Sequence, residues 1–346
     1  MNPRERVLSV LNNETPDKVP VTCFTQVGIV EAMEKLNCAW PEAHSDPTKM
    51  VRLGTSLNKL AGLESARIPF CLTVEAEAIG CRVEMGRIDR QPSVRQAAFQ
   101  STGEVNIPSD FVEKGRIPAV LEATRTLKKN FPELPAIVGI TGPFTLSGHL
   151  IEIERLVKLM RLKPMEVEDL LDKVTDACTA YAQEIVKAGA DVIVVNDPSA
   201  APELIDPLSF KSTIKPRLKF FTQGIKAKKV LHICGGATPI ISDMADCGFE
   251  AISVEDKVDI AKAKELMKGG ARSMFVAGRM TTTQARIVKI AGNVSTAKTL
   301  FTGKPEEVRD EAKKALQAGT DLLAPACGIA PRSPLANIKA LVEARG

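Results

Sequence analysis

Aromatic side chains are scarce in this chain: 4% of 346 residues, with one Trp and one Tyr. A surface that stacks bases needs several of them, so the composition argues against nucleic-acid binding. A charge excess of one sign is also lacking. The 46 Lys and Arg nearly balance 42 Asp and Glu, for a net charge of +4. That bias is too weak to point to nucleic acid or an anionic membrane surface. The longest uncharged stretch, Leu134 to Ile151, carries three glycines and two prolines, so it does not read as a spanning helix. The start, MNPRERVLSV, is charged, reads as helical and has no apolar signal region. No Gly-x-Gly-x-x-Gly loop and no P-loop motif occurs, which weakens a nucleotide-binding open sheet. The eight cysteines, at 23, 38, 71, 81, 178, 234, 247 and 327, follow no framework spacing. A chain of this size does not need disulfides, and a reducing cytoplasm is the expected setting.

What is present is an ordinary globular balance, 44% hydrophobic and 25% charged. Asn2 and Pro3 read as the start of a helix with Val7, Leu8 and Leu11 on its apolar stripe. Lys18 to Cys23 reads as a first strand. A helix from Asp46-Pro47 to about Gly62 follows, then short strands at Pro69–Thr73 and Cys81–Met85. Residues 86–115 have weak periodicity. A helix over about Ile117–Asn130 leads to the strand Pro135–Thr141.

From there helices and apolar strands alternate. The strands read as Ala190–Asn196, Val230–Cys234, Ala251–Glu255 and Thr320–Pro325. Strand seven has two candidates, Ser273 to Gly278 and Ile287 to Gly292. The second is preferred, because Gly292-Asn293 resembles the other strand ends. Apolar strands without alternation, each followed by a helix, indicate a parallel sheet covered on both faces. About eight such units predict a TIM (β/α)8 barrel with an N-terminal helical extension. Polar residues punctuate the C-terminal strand ends: Asn196-Asp197, His232 and Cys234, Glu255-Asp256, and Cys327. In a barrel that face carries the active site.

The run KKVLHICGG places His232 and Cys234 two apart, on one face of a strand by alternation. Cys327 ends the apolar run LLAPACGI in the same way. A same-face imidazole and thiol with a second thiol can hold three positions of Zn2+ and leave the fourth open. Two thiolates and a neutral imidazole cancel the ion's charge, so a substrate thiolate would make the complex net −1 and stay electron-rich. The result is a nucleophile suited to an electrophilic carbon such as a methyl group. Each residue alone reads better as a buried small hydrophobe or a satisfied core histidine; the three strand ends together favour the metal.

Other candidates are weaker. His149 follows Ser147-Gly148 and can line the mouth. Glu255 or Asp256 can fill the fourth metal position, support a ligand, or start a helix. Asn196 and Asp197 can bind a polar substrate head or form a turn with Pro198. Arg332 can hold an anionic tail or lie on the surface. His44, in a polar loop, reads as solvated.

The chain resembles the uroporphyrinogen decarboxylase superfamily and, within it, the methylcobamide:coenzyme M methyltransferases of methanogens. The resemblance runs from RERVLSVLNNETPDKVPV through VGITGPFTLSGHL, ADVIVVNDPSA, LHICGGATPII, GFEAISVEDKVDI and AGNVSTAKTL to APACGIAPRSPLANIKAL. It implies a single barrel domain over residues 1–346 and zinc on His232, Cys234 and Cys327. It also implies coenzyme M bound as a zinc thiolate, and a methyl group delivered by a separate methylated corrinoid protein. True decarboxylases of the family carry an Arg-rich segment after the first strand; here that place reads CFTQVGIV, without arginine. The run GGARSMFVAGRMTTTQ, residues 269–284, departs from the family pattern. Two other readings stay open: a zinc-thiolate alkyltransferase with another electrophile or thiol acceptor, and a barrel that only binds a corrinoid or tetrapyrrole.

Overall fold

Segments such as AIVGIT and VIVVN carry β-branched side chains on both faces, and such strands need cover on both sides. The computed structural model describes residues 1–268, 272–276, 279–283 and 287–346, with backbone alone for 272–276 and 279–283. Its strands are β1 (Ala66–Ile68), β2 (Arg82–Glu84), β3 (Ser93–Gln96), β4 (Ala136–Thr141), β5 (Val192–Asn196) and β6 (Lys228–His232), then β7 (Ala251–Ser253), β8 (Arg272–Val276), β9 (Arg279–Thr283), β10 (Lys289–Val294) and β11 (Leu322–Pro325).

β1, β4, β5, β6, β7, β10 and β11 form one parallel sheet in that order. The extended segment around Val21 joins its two edges. Thr22 N donates to Leu323 O at 2.9 Å, Leu323 N to Pro20 O at 2.9 Å, and Glu64 N to Val21 O at 2.7 Å. The sheet thus closes as an eight-position barrel, the expected (β/α)8 architecture. Glu64 completes the seam. Its Oε2 accepts from Val21 N at 2.9 Å, and its carboxylate pairs with Arg345 at 2.6 Å and with Arg6. A buried N–H left unpaired there would cost about 1–3 kcal/mol.

Side chains alternate across the barrel wall. Ile137, Val192, Val194, Val230, Ala251 and Leu322 cluster inside with Val7, Val10 and Leu11. Val138, Ile140, Ile193, Val195, Leu231 and Ile252 pack outward in the other core. The helix Pro3–Leu11 therefore plugs the barrel floor. Asn2 caps it, with its side chain accepting from Glu5 N at 2.9 Å. This is the expected N-terminal extension. Among the described residues no helix is long and apolar enough to cross a membrane.

Several elements differ from expectation. The strand read at Pro69–Thr73 lies earlier, as β1, because Pro69 has no N–H to continue a ladder. The strand at Cys81–Met85 is β2, which pairs antiparallel with β3 outside the barrel. The helix from 46 to 62 is two helices, Pro47–Gly54 and Ser56–Ala61. The hydroxyls of Thr55 and Ser56 bond back to Val51 O at 2.9 Å and Leu53 O at 2.7 Å, and such back-bonding bends helices. β10 is the barrel strand preferred for position seven, paired with β7 and β11, while among the described residues β8 and β9 pair only with each other. Of the run 269–284, residues 269–271, 277, 278 and 284 lie outside the described residues.

Candidate active site

His232 is the last residue of β6 and points into the barrel, 2% exposed. Its Nδ1 lies 3.0 Å from the Ser253 hydroxyl, directly across the β6–β7 register. With Nδ1 donating to Ser253, Nε2 keeps its lone pair for a cation. Nε2 faces the Cys234 sulfur at 3.1 Å and the Cys327 sulfur at 3.5 Å, and the two sulfurs are 3.4 Å apart.

Neither cysteine sits on a strand, which corrects the same-face argument. β6 ends at His232 and β11 at Pro325. Cys234 reaches back through a turn at Gly235, whose φ of +77° favours glycine. A Cβ on Gly235 would lie 2.4 Å from Glu203 Oε2. Glu203 folds over this turn and accepts from Gly236 N at 2.8 Å. Cys327 is held by its neighbours: Ala326 N donates to Val294 O at 2.8 Å and Ile329 N to Gln26 O at 3.1 Å.

The two thiols perturb each other. The hydrogen bond from Cys234, aided by the charge of His232, holds Cys327 well below the ordinary thiol range. The same bond, then burial, pushes Cys234 up. Two sulfurs sharing one proton suit a cation that would replace it. The three donor atoms lie within 4.8 Å of one another, so the group could hold a metal ion. A tetrahedral ion with bonds of about 2.0–2.3 Å separates its ligand atoms by roughly 3.3–3.8 Å, close to the spacing found.

Beside the cluster lies a cavity of about 230 Å³, lined among others by Thr25, Arg67, Cys71, Gln91 and Asn196. That is below the ~300 Å³ at which drug-sized sites begin, so it fits a smaller molecule.

The uroporphyrinogen decarboxylase family model matches residues 2–346. The chain belongs to the uroporphyrinogen decarboxylase family. Within that family it stands with the methylcobamide:CoM methyltransferases. One from Methanosarcina barkeri is 44% identical over 345 residues, covering 99% of this chain and 97% of that protein. A second, from Methanosarcina mazei, is 34% identical over 346 residues, covering 99% and 96%. The solved structure of a methyltransferase from Methanosarcina mazei superposes with a TM-score of 0.92 at 42% identity, covering 100% of this chain and 98% of that one.

Against this family background the remaining candidates separate. Asn196 lines the cavity, and its amide donates weakly to Val194 O at 3.3 Å. Asp197, one residue on, does not line it. It is fully buried and accepts from Thr145 N and Oγ1 at 2.7 Å and from Phe144 N at 3.3 Å. It anchors the start of the helix Pro143–Ile151, at a place where a Cβ on Gly142 would meet it at 2.4 Å. Burial raises its carboxyl above the usual range.

His149, on that helix, is away from the cavity lining. Its Nδ1 is buried without a partner, and burial lowers its pKa to about 4. Glu255 is near the cluster but outside its 4.8 Å group. Burial, then the charge of Cys327, pushes its carboxyl up. Arg332 is exposed and pairs with Asp89 at 2.8 Å, away from the cavity. His44 is fully buried and stacks on Trp40 at 4.9 Å, so the loop is not solvated there.

The sequence reading missed Arg67, Gln91 and Glu203. For Arg67 a signal existed: a single charge in the apolar run ARIPF, at a position whose neighbours face outward.

Proposed function

We propose that this protein moves a methyl group from a methyl-Co(III) corrinoid protein to the thiol of coenzyme M, with zinc held by His232, Cys234 and Cys327. The observation that carries the reading is the convergence of those three donor atoms within 4.8 Å beside a small cavity. Three protein ligands rather than four favour a reactive site over a structural one.

Bound zinc would lower the pKa of the substrate thiol and keep its sulfur as a nucleophilic thiolate. The protein does the rest. Ser253 orients the His232 ring. The glycine turn at 235 and 236, under Glu203, aims Cys234. The cavity limits the thiol to a short molecule. In the reaction the thiol loses its proton, and a sulfur–carbon bond forms as the cobalt–carbon bond breaks. The electron pair of the broken bond stays on cobalt, which leaves as Co(I).

The names of the relatives support this donor and acceptor. The same reading assigns the chain to methylotrophic methanogenesis, as one barrel domain working in the cytoplasm. The test is methyl transfer from free methylcobalamin to coenzyme M, followed by corrinoid absorbance. Turnover should vanish on chelation and return with zinc. No turnover with one zinc per chain would shift the reading to another electrophile or thiol. No turnover and no zinc would end it.

A further inference from the structure

Arg67 is a buried cation with few partners. It lies in the middle of β1, between Ala66 and Ile68, which pack outward. Alternation sends it inward, where it is 2% exposed and lines the same cavity as His232, Cys234 and Cys327. Among the described residues its hydrogen bond runs from Nε to Phe24 O at 3.2 Å. Nη1 is buried with no partner.

Cys23, Cys71 and Glu75 act on it through charge, but among the described residues none of them fills its N–H groups. The Glu75 carboxylate is taken up by Thr141 N at 2.7 Å and Thr141 Oγ1 at 2.8 Å. The Cys71 sulfur faces Arg116 Nη1 at 3.3 Å. Arg116 marks the contrast. It is 5% exposed, but it also bonds Glu77 at 2.6 Å and Thr73 at 2.7 Å. Burial pulls the Arg67 guanidinium down to about 10, so it is still charged at neutral pH.

The neighbouring strand makes room for this head group, since β4 runs beside β1 with Arg67 in register with Ile137. A Cβ on Gly139 would lie 2.0 Å from Arg67 Nη2. Any other residue at 139 would push the guanidinium from its place. Gln91 also lines the cavity and supplies a polar amide there.

We infer that Arg67 is the anion-binding end of the cavity and takes the sulfonate of the substrate, while the His232, Cys234 and Cys327 cluster takes its sulfur. This rests on the proposed methyl transfer to coenzyme M and deepens it. A guanidinium presents several N–H donors in one plane and matches an oxyanion with two at once. A buried cation of this kind is stable only when paired. The bound sulfonate supplies the acceptor that Nη1 lacks. The cavity then becomes a two-ended ruler, with cation at one end and metal at the other, and it selects short thiols that carry an anion.

The test separates anion binding from chemistry. Ethanesulfonate, which has no thiol, is titrated calorimetrically into zinc-loaded wild type, Arg67→Met and Gly139→Ala, with zinc content measured in each. Wild type should bind it. Arg67→Met should lose about 100-fold in affinity, as for one partner of a buried charge pair, while keeping one zinc per chain. The turnover ratio of coenzyme M to 2-mercaptoethanol should fall by a similar factor. Unchanged ethanesulfonate binding in Arg67→Met, or none in wild type, would overturn the inference. Should Arg67→Met not fold, Gly139→Ala decides: weaker binding with zinc retained supports the site, and unchanged binding removes it. If wild type binds ethanesulfonate but methylates no thiol, the anion site stands and the methyl-transfer reading falls.

Discussion

The sulfurs of Cys234 and Cys327 lie 3.4 Å apart although 93 residues separate them in the chain. β6 and β11 end on the same rim of the barrel; the turn at Gly235 brings Cys234 back, and the backbone bonds of Ala326 and Ile329 hold Cys327 beside it. The pair shares one proton without metal, and each sulfur needs the other and His232 to hold a cation. Replacing Cys234 or Cys327 by Ala should therefore remove both zinc and methyl transfer, by about a thousandfold or more in rate. Metal analysis and the methylcobalamin assay check this together. A variant with full zinc and full activity would refute the ligand assignment.

Ser253 acts through His232. Its hydroxyl at 3.0 Å from Nδ1 fixes the ring and the tautomer. Partners of this kind affect metal affinity or activity by about 10–100-fold. Ser253→Ala should lose zinc to a chelator that much more readily, with the fold intact. Competition against a coloured chelator reads it. An unchanged zinc affinity would mean that the ring is held by packing alone.

Two buried groups give opposite pH signatures. Burial lowers His149 from 6.5 to about 4. The unfolded chain thus binds more protons in that window, and stability falls as pH drops from about 6.5 to about 4, by up to ~3 kcal/mol. Burial raises Glu75 from 4.5 to about 6, against its hydrogen bonds from Thr141. There the folded chain binds more protons, and stability falls as pH rises from about 4.5 to about 6, by roughly 2 kcal/mol. His149→Leu should remove the acid-side loss, and Glu75→Gln the opposite slope. Thermal unfolding between pH 4 and 7 resolves the two. Slopes unchanged in both variants would place the titration elsewhere.

Contiguous patterns made much of the fold legible. The strands at 136–141 and 192–196, the helix Ile117–Asn130 and the His232, Cys234 and Cys327 set all announce themselves within a few residues. What was hidden depends on contacts distant in sequence. Arg67 means little until β4 is seen beside β1, where Gly139 leaves the space that its guanidinium fills. Asp197 sits beside the cavity residue Asn196, yet its carboxylate turns to the amides of Phe144 and Thr145. Arg332 read as an anion holder because it follows Cys327, but its partner is Asp89. One-residue shifts along a strand end reverse the face, so adjacency to a ligand does not place a side chain in the site.

A cation held for a substrate is a cost to the empty protein, whereas a structural one is not. Burying one ion costs several kcal/mol by itself, so replacing one whose N–H groups are unfilled by a well-packed apolar side chain of similar volume should be neutral or stabilising. Arg67→Met also strips Phe24 O of its bond, which costs about 1 kcal/mol. The empty variant should therefore match or exceed wild type in unfolding free energy. Ethanesulfonate should reverse the order, because at about 100 times Kd it adds roughly 2.7 kcal/mol to the protein that binds it and nothing to the one that does not. Denaturant unfolding with and without the sulfonate gives both numbers. A loss of about 3 kcal/mol or more in empty Arg67→Met would make Arg67 a structural residue of the barrel wall.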